Sequence, residues 1–239
     1  NHRGRSARKN RVCAPEECIA TGPNALYSWD ITYLKSAIRG CFFYLYLFMD
    51  IYSRKVVGWE VHAEESSEHA AELLRKIHLK EALSGQVEVI LHSDNGSPMK
   101  GATMLATMQR LGVVPSFSRP TVSNDNPFSE SLFKTMKYIP TFPDQPFCSL
   151  AEAREWVGRF VDWYNEAHRH SEIQYVTPGQ RHRGEDIAIL AERKRVYEAA
   201  KARHPERWSG ETRNWLPVTS VSLNPKKLKQ PPEEVRKAA

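Results

Sequence analysis

The longest apolar run in the chain, CFFYLYLFM from Cys41 to Met49, constrains the fold more than any other stretch. It is well short of the roughly 18 consecutive apolar residues that a membrane-spanning helix needs. Its length and aromatic-rich composition are those of a strand. The segments on either side read the same way. YSWDITYL, residues 27–34, alternates polar and apolar positions and leads through a turn near Arg39–Gly40 into the run. Asp50–Arg54 reads as a second turn, followed by KVVGWEVH, residues 55–62. Three strands with short links predict an antiparallel meander.

Helices and further strands follow. Ser66 or Ser67 caps a helix running to about Leu83, with Ala70, Leu73, Leu74 and Ile77 at helical spacing and a stop at Ser84–Gly85. VEVILH, residues 87–92, is a short strand that delivers Asp94 at its C-terminal end. A helix over about 100–111 sets Leu105, Met108 and Leu111 on one side. VVPSFS, residues 113–118, is a strand whose Pro115 favours a sheet edge. Asn126–Pro127 opens another helix, because proline lacks the N–H that a first turn leaves unpaired. The order βββαβαβα predicts an α/β fold, a mixed five-stranded sheet with helices on both faces. In such sheets, sites sit at strand C-terminal ends. Farther along, Ser149 and Glu152 make a capping box for a helix to about His168, Thr177–Pro178 starts a short segment, and a charged helix covers 186–203. Residues 214–223 read as a last strand or strap. The predicted organisation is a basic arm or linker over 1–22, a core over 23–183, and a C-terminal helix, strap and basic tail over 184–239.

The formal net charge of +6 is concentrated near the ends. Arg3, Arg5, Arg8, Lys9 and Arg11 face no acid in the first twelve residues, and the tail from Lys226 is also basic. Such arms serve either solubility or contact with a polyanion. Cys13 and Cys18 lack a second matching pair, which argues against zinc, and Cys41 in its apolar strand reads as a buried thiol. A reducing cytoplasm fits this usage, and no signal peptide is legible. The first residue is not methionine, as in a piece of a longer protein.

Three acids stand out by position. Asp30 lies mid-strand, Asp94 at a strand end, and Glu130 one turn into a helix, followed by Lys134 and Lys137 on the same face. Taken singly, Asp94 also reads as a turn residue in Ser-Asp-Asn-Gly, and Glu130 as an acid favoured by the helix dipole. Taken together, three converging carboxylates would repel one another unless divalent cations neutralised them. Oxygen-only ligation suits Mg²⁺ or Mn²⁺, and two such ions support in-line phosphoryl transfer. Asp50, a fourth strand-end acid, reads as the cap of the Tyr52–Ser53 turn. His92 shares the strand face of Asp94, as an outer partner or a packed ring. His168 and His170 read as surface or DNA-contact residues, and Trp156, Trp163 and Tyr164 as packing of the long helix.

WDITYL, MDIYSRKVVGWEV, HSDNGS and SNDNPFSESLFKTMK, in this order, resemble the catalytic core of DDE transposases and retroviral integrases. Between Asp94 and Glu130 lie 35 residues, the spacing of that family. WYNEAHRHSEI and TPGQRH, residues 163–182, are similar to the segment after the core in insertion-sequence transposases of the IS-three type. The resemblance covers roughly 24–183. It implies a ribonuclease H-like fold, and Asp30, Asp94 and Glu130 as catalytic residues and ligands of two Mg²⁺ or Mn²⁺ ions. It implies nicking at an element end, then attack of the freed 3′-OH on a second phosphodiester. The partners implied are element-end and target DNA and further copies of the chain in a synaptic complex, at the nucleoid of a bacterial cytoplasm and without a membrane. The expected DNA-contact residues are Lys134, Lys137, Asn95, Asn124 and Arg119, with turn and cap roles equally open to the asparagines. Two other readings stand beside this one: a DNA-binding or assembly module without catalysis, and a metal-dependent nuclease without joining. Mg²⁺-dependent nicking separates the first, and joining of pre-cleaved 3′-OH ends separates the second.

Overall fold

The computed structural model describes residues 17–83, 88–119 and 125–225. The expected basic stretches at 1–12 and from Lys226, the helix stop at Ser84–Gly85, Cys13, Ser123 and Asn124 lie outside them. In chain order the elements are β1 (Cys18–Ala20), β2 (Leu26–Lys35), β3 (Phe42–Asp50), β4 (Val56–His62), α1 (Ser67–Lys80), β5 (Val89–Ser93), α2 (Ala102–Leu111) and β6 (Val113–Phe117). After them come α3 (Pro127–Tyr138), α4 (Leu150–Glu166), α5 (Pro178–His182), α6 (Asp186–Arg203) and β7 (Val221–Leu223). The main sheet runs β4-β3-β2-β5-β6, with β2–β3 and β3–β4 antiparallel and β2–β5 and β5–β6 parallel. This is the mixed five-stranded arrangement that the element order predicts and the ribonuclease H-like one that the resemblance implies, and Pro115 lies on an edge strand as expected.

The apolar run becomes the strand that both layers need. Tyr46 and Phe48 of β3 pack with Trp29 against Leu73, Leu74 and Ile77 of α1 and Met104 and Met108 of α2. Leu45, Leu47 and Met49, pointing the other way, pack with Leu34 against Leu132 and Met136 of α3 and Val157 and Phe160 of α4. A strand buried on both sides needs no alternation, which is why the run is continuous. Gly58 of β4 lets α1 approach: a Cβ there would sit 2.4 Å from the Ile77 side chain. Ser66 caps α1 by accepting from the Glu68 amide at 3.0 Å. Ser149 caps α4 by accepting from the Glu152 amide, while the Glu152 carboxylate takes the amide of Cys148.

Several details differ from the expectations. Cys41 is exposed, because β3 begins one residue later and leaves it in the preceding turn. On α2 the buried residues are Met104, Thr107 and Met108, and Leu105 is 38% exposed, a rotation of the apolar face by one position. Trp156 and Tyr164 are buried as predicted, but Trp163 is 40% exposed. Residues 18–20 do not form part of an arm. They pair antiparallel with β7, Cys18 opposite Leu223, and bury Ala20 with Leu26, Ile51 and Val221. Of the predicted strap only Val221–Leu223 is strand. α6 is charged around its circumference, burying only Asp186 and Leu190. No helix among the described residues is long and apolar enough to cross a membrane.

Candidate active site

The register of the sheet brings Asp30 and Asp94 side by side. Ser28 pairs with His92 and Trp29 with Ser93 in the parallel β2–β5 ladder, and Asp30 and Asp94 each directly follow that last pair. Neighbouring strands lie about 4.8 Å apart, and residues opposite each other point to the same face. Buried hydrogen bonds then fix α3 to that face. Ser28 Oγ donates to Asn126 Oδ1 at 2.6 Å and lies 2.5 Å from Ser129 Oγ, and Asn126 Nδ2 donates to the Trp29 carbonyl at 3.3 Å. Asn126 therefore starts α3 without capping it with its side chain; its amide docks the helix onto β2. Near the other end of α3, Lys137 Nζ donates to Thr32 Oγ1 at 2.8 Å. Asp30 sits between Ser28 and Thr32 on one strand face, so α3 is pinned on either side of it. Glu130 projects from the first turn and is exposed, as is Lys134.

The three acids share one electrostatic field. Burial, followed by the charges of Asp94 and Glu130, pushes the Asp30 carboxyl up to about 7, against the lowering pull of the Ile31 amide and Lys137. Burial and the Asp94 charge also raise the Glu130 carboxyl. Their carboxyl oxygens do not form a ready cage: among the described residues no group of three His, Cys, Asp or Glu side chains is arranged to hold a metal ion. The Asp30 carboxylate is turned to accept from the Ile31 amide at 2.8 Å, and Asp94 Oδ1 accepts from Ser118 Oγ at 2.7 Å. The donor chemistry nonetheless fits a hard divalent cation: all-oxygen ligands, one of them held well above the usual carboxylate range by burial and then by the charges of the other two.

The remaining predicted residues fall into two groups. Lys137 borders a groove of about 370 Å³ that Lys35 also lines, a second cation that the motif reading missed because it stands one residue past the WDITYL motif, at the end of β2. Asn95 and Arg119 are engaged within the protein. Asn95 Nδ2 donates to the Ser118 carbonyl, and Arg119 grips Asp125 through its amide at 2.8 Å, Nε at 2.9 Å and Nη2 at 2.9 Å. His92 is a packed outer partner, its ring nitrogens 2.9 Å from Ser116 Oγ and 3.2 Å from Ser118 Oγ. His170 is half-buried and caps the turn at Ser171–Ile173. Asp50 does cap the turn after β3, accepting from the Ser53 amide at 2.8 Å.

Comparison with known proteins extends this picture. The integrase core domain family matches residues 20–123 and, in a second part, residues 111–178. The transposase for insertion sequence element IS904 of Lactococcus lactis subsp. lactis (strain IL1403) is 31% identical over 162 residues, which is 66% of this chain and 61% of that protein. Transposase InsF for insertion sequence IS3A of Escherichia coli (strain K12) is 28% identical over 166 residues, 69% of this chain and 56% of its own length. The putative transposase for IS986/IS6110 of Mycobacterium tuberculosis (strain CDC 1551 / Oshkosh) is 27% identical over 146 residues, 60% of this chain and 52% of its own. The chain thus spans about half to three fifths of the length of the curated relatives it matches. Among solved structures, the simian T-cell lymphotropic virus intasome in complex with PP2A regulatory subunit B56 gamma has a chain superposing with TM-score 0.55 at 18% identity, over 73% of this chain and 60% of that one. The Mos1 transposase catalytic domain with raltegravir and Mg superposes with TM-score 0.50 at 16% identity, over 67% and 76% respectively. At these identities the likeness concerns the fold.

Proposed function

The chain belongs to the integrase core domain family, and from that premise we propose that it is the catalytic core of a DDE-type DNA transposase of an insertion sequence of the IS-three type. Its reaction is polynucleotidyl transfer: hydrolytic nicking at an element end, then attack of the freed 3′-OH on a phosphodiester of target DNA. Residues 23–183 form the core in this reading, and copies of the chain assemble around paired ends. The observation that carries it is the parallel register setting Asp30 beside Asp94, with Glu130 close enough to raise Asp30 further. An acid raised by burial and by two neighbouring acids, at the end of a parallel ladder, is the kind of group that functional sites hold.

Asp30, Asp94 and Glu130 are the residues that would hold divalent cations, two Mg²⁺ or Mn²⁺ ions. When bound, such ions activate the attacking oxygen and stabilise the leaving one. The chain's own groups do the rest. Ser28, Asn126 and Ser129 hold α3 so that Glu130 stays over the strand ends. Lys137, fixed by Thr32, and the exposed Lys134 offer cations to phosphates flanking the scissile one. Asn95 and Arg119 act by shaping the loops beside Asp94, since both are bonded within the protein. The Mg in the Mos1 catalytic domain structure supports the choice of metal by analogy.

The test is joining of pre-cleaved 3′-OH ends in Mg²⁺. Asp94→Asn or Glu130→Gln removes several kcal/mol of transition-state stabilisation, a loss on the order of a thousand-fold in rate. DNA affinity at matched salt stays close to that of the parent. Wild-type joining by either variant overturns the assignment, and nicking without joining by the parent reduces the protein to a nuclease.

A further inference from the structure

Arg54 lies in the turn between β3 and β4, in the left-handed region at φ 68°, its amide donating to the Asp50 carbonyl at 2.8 Å. The residue is only 8% exposed, with its guanidinium carbon 4.2 Å from the centroid of the Phe128 ring. Two of its nitrogens, Nε and Nη1, are out of contact with water and bond to no group among the described residues. A buried cation without a partner costs several kcal/mol. Nearby Arg181 shows the ordinary solution. Equally buried, it spends its nitrogens on the Tyr52 and Val218 carbonyls at 2.8 and 2.7 Å and on Asp186 at 3.5 Å.

The unpaired guanidinium lines a cleft of about 430 Å³ walled by α3, α4, β7 and the turn after α4. His170 lines it too. Its Nδ1 accepts from the Glu172 amide at 3.2 Å, which leaves the ring proton on Nε2 as a donor. Burial, with the Arg54 charge, holds this ring down to about 4, so it is a neutral donor near pH 7. Ser131 adds a hydroxyl along the α3 wall, where Thr135 Oγ1 already donates to the Ser131 carbonyl at 3.1 Å, and the exposed Glu172 stands at the rim as the acid of the cleft. A guanidinium with neutral N–H and O–H donors around it is the chemistry that binds a tetrahedral oxyanion.

We propose that this cleft is a phosphate-binding subsite, and that its occupant is a backbone phosphate of the DNA handled by the acid site. The choice of DNA rests on the function proposed above. The placement favours it: the cleft opens along one flank of α3 while Glu130 projects from another flank of the same first turns. A helix is about 10 Å across, and phosphates of one strand advance about 3.4 Å per nucleotide along a duplex. A strand lying across α3 therefore reaches both within a few nucleotides.

Two variants of the full chain test it. Ser131→Glu places a carboxylate in the cleft beside Arg54, and Arg54→Met keeps the stem while removing the charge. Inorganic phosphate should raise the melting temperature of the parent and leave both variants unmoved. Ser131→Glu alone should melt higher than the parent without phosphate, because it pairs the guanidinium, so the test stands even if Arg54→Met folds poorly. In DNA titrations against salt, each variant should lose about 0.9 from the log–log slope, one phosphate's share. An unchanged phosphate response in Ser131→Glu overturns the anion site. Loss of the phosphate response with an undiminished DNA slope overturns DNA as the source and leaves free phosphate as the ligand. If Asp94→Asn keeps full joining activity while these shifts still occur, the transposase reading falls and the subsite stands.

Discussion

Asp30 and Asp50 are the same residue type on adjacent strands of one sheet, and their surroundings could hardly differ more. Asp50 is fully buried at the end of β3, opposite Tyr27. It accepts from the Asn24 amide at 3.0 Å, from the Ser53 amide at 2.8 Å and from the Ser53 hydroxyl, with His182 Nδ1 at 3.5 Å. His182 in turn meets Glu81 at 3.0 Å, and Glu81 meets Lys55 at 3.0 Å, so the charges around Asp50 alternate in sign. Asp30, opposite Leu47, accepts from one amide and faces two further acids. A carboxylate whose lone pairs are filled by the protein is part of the scaffold. One that burial and like charge push up to about 7 is left unsatisfied by the scaffold, which is what the proposed metal-binding role requires of it.

The sharpest way to break this comparison is to remove each acid and read stability. Asp50→Ala strips partners from the buried Ser53 amide, from the partly buried Asn24 amide and from His182. Uncompensated loss of a buried ionic hub costs about 3–5 kcal/mol. Urea unfolding measures it, and a change below about 1 kcal/mol would mean that Asp50 is no more structural than Asp30.

Asp30→Asn should act with the opposite sign. The Asp30 carboxyl titrates higher in the folded chain than in the unfolded one, so between about 4 and 7 the native state binds the extra proton. Stability from this group is therefore full below pH 4 and is lost as pH rises through 7. Replacing it with the neutral amide should raise stability at pH 8 by about 2–4 kcal/mol in the absence of divalent ions. It should also flatten the slope between pH 4 and 7. Adding Mg²⁺ or Mn²⁺ should stabilise the parent and not the variant. A destabilised Asp30→Asn with an unchanged pH slope would place Asp30 in the scaffold class.

The difference between the two acids was partly legible before any coordinates. Asp30 could be separated from Asp50 because motif order and the spacing of Asp94 and Glu130 are one-dimensional facts, and because Asp50 precedes a short turn it could cap. The strands and helices of the core follow from periodicity, and most of their bounds agree within a residue or two. Pairings between distant segments were invisible. β1 and β7 are three residues each and meet across some two hundred positions, too short for any period to show. Asn126 read as a helix start, yet its side chain is committed to Ser28, 98 positions away. Arg119 reads as a DNA-contact residue, and its pairing with Asp125, six positions on, has no sequence signature. Cys41 and Leu105 went astray by single positions, where an element boundary or a helix rotation decides exposure.

Asp94 lies between the two extremes and gives the finest test. Its Oδ1 accepts from Ser118 Oγ, and the same hydroxyl lies within 3.2 Å of His92 Nε2. If Ser118 donates to Asp94, it must accept from His92, and His92 Nδ1 must accept from Ser116. The chain of donors points toward the carboxylate, and burial keeps the His92 ring neutral within it. Ser118 is thus a positioning residue for Asp94, the acid proposed above as a metal ligand, whose carboxylate is only half satisfied. Ser118→Ala should cost about 1 kcal/mol of stability, the worth of one hydrogen bond. It should also raise the Mg²⁺ concentration needed for half-maximal joining, because Asp94 would no longer be aimed, and Ser118→Thr should restore both. A Ser118→Ala variant that loses the same stability but keeps the parent's Mg²⁺ dependence would show that the hydroxyl only ties the end of β6 to the end of β5. Asp94 would then stand with Asp50 rather than Asp30.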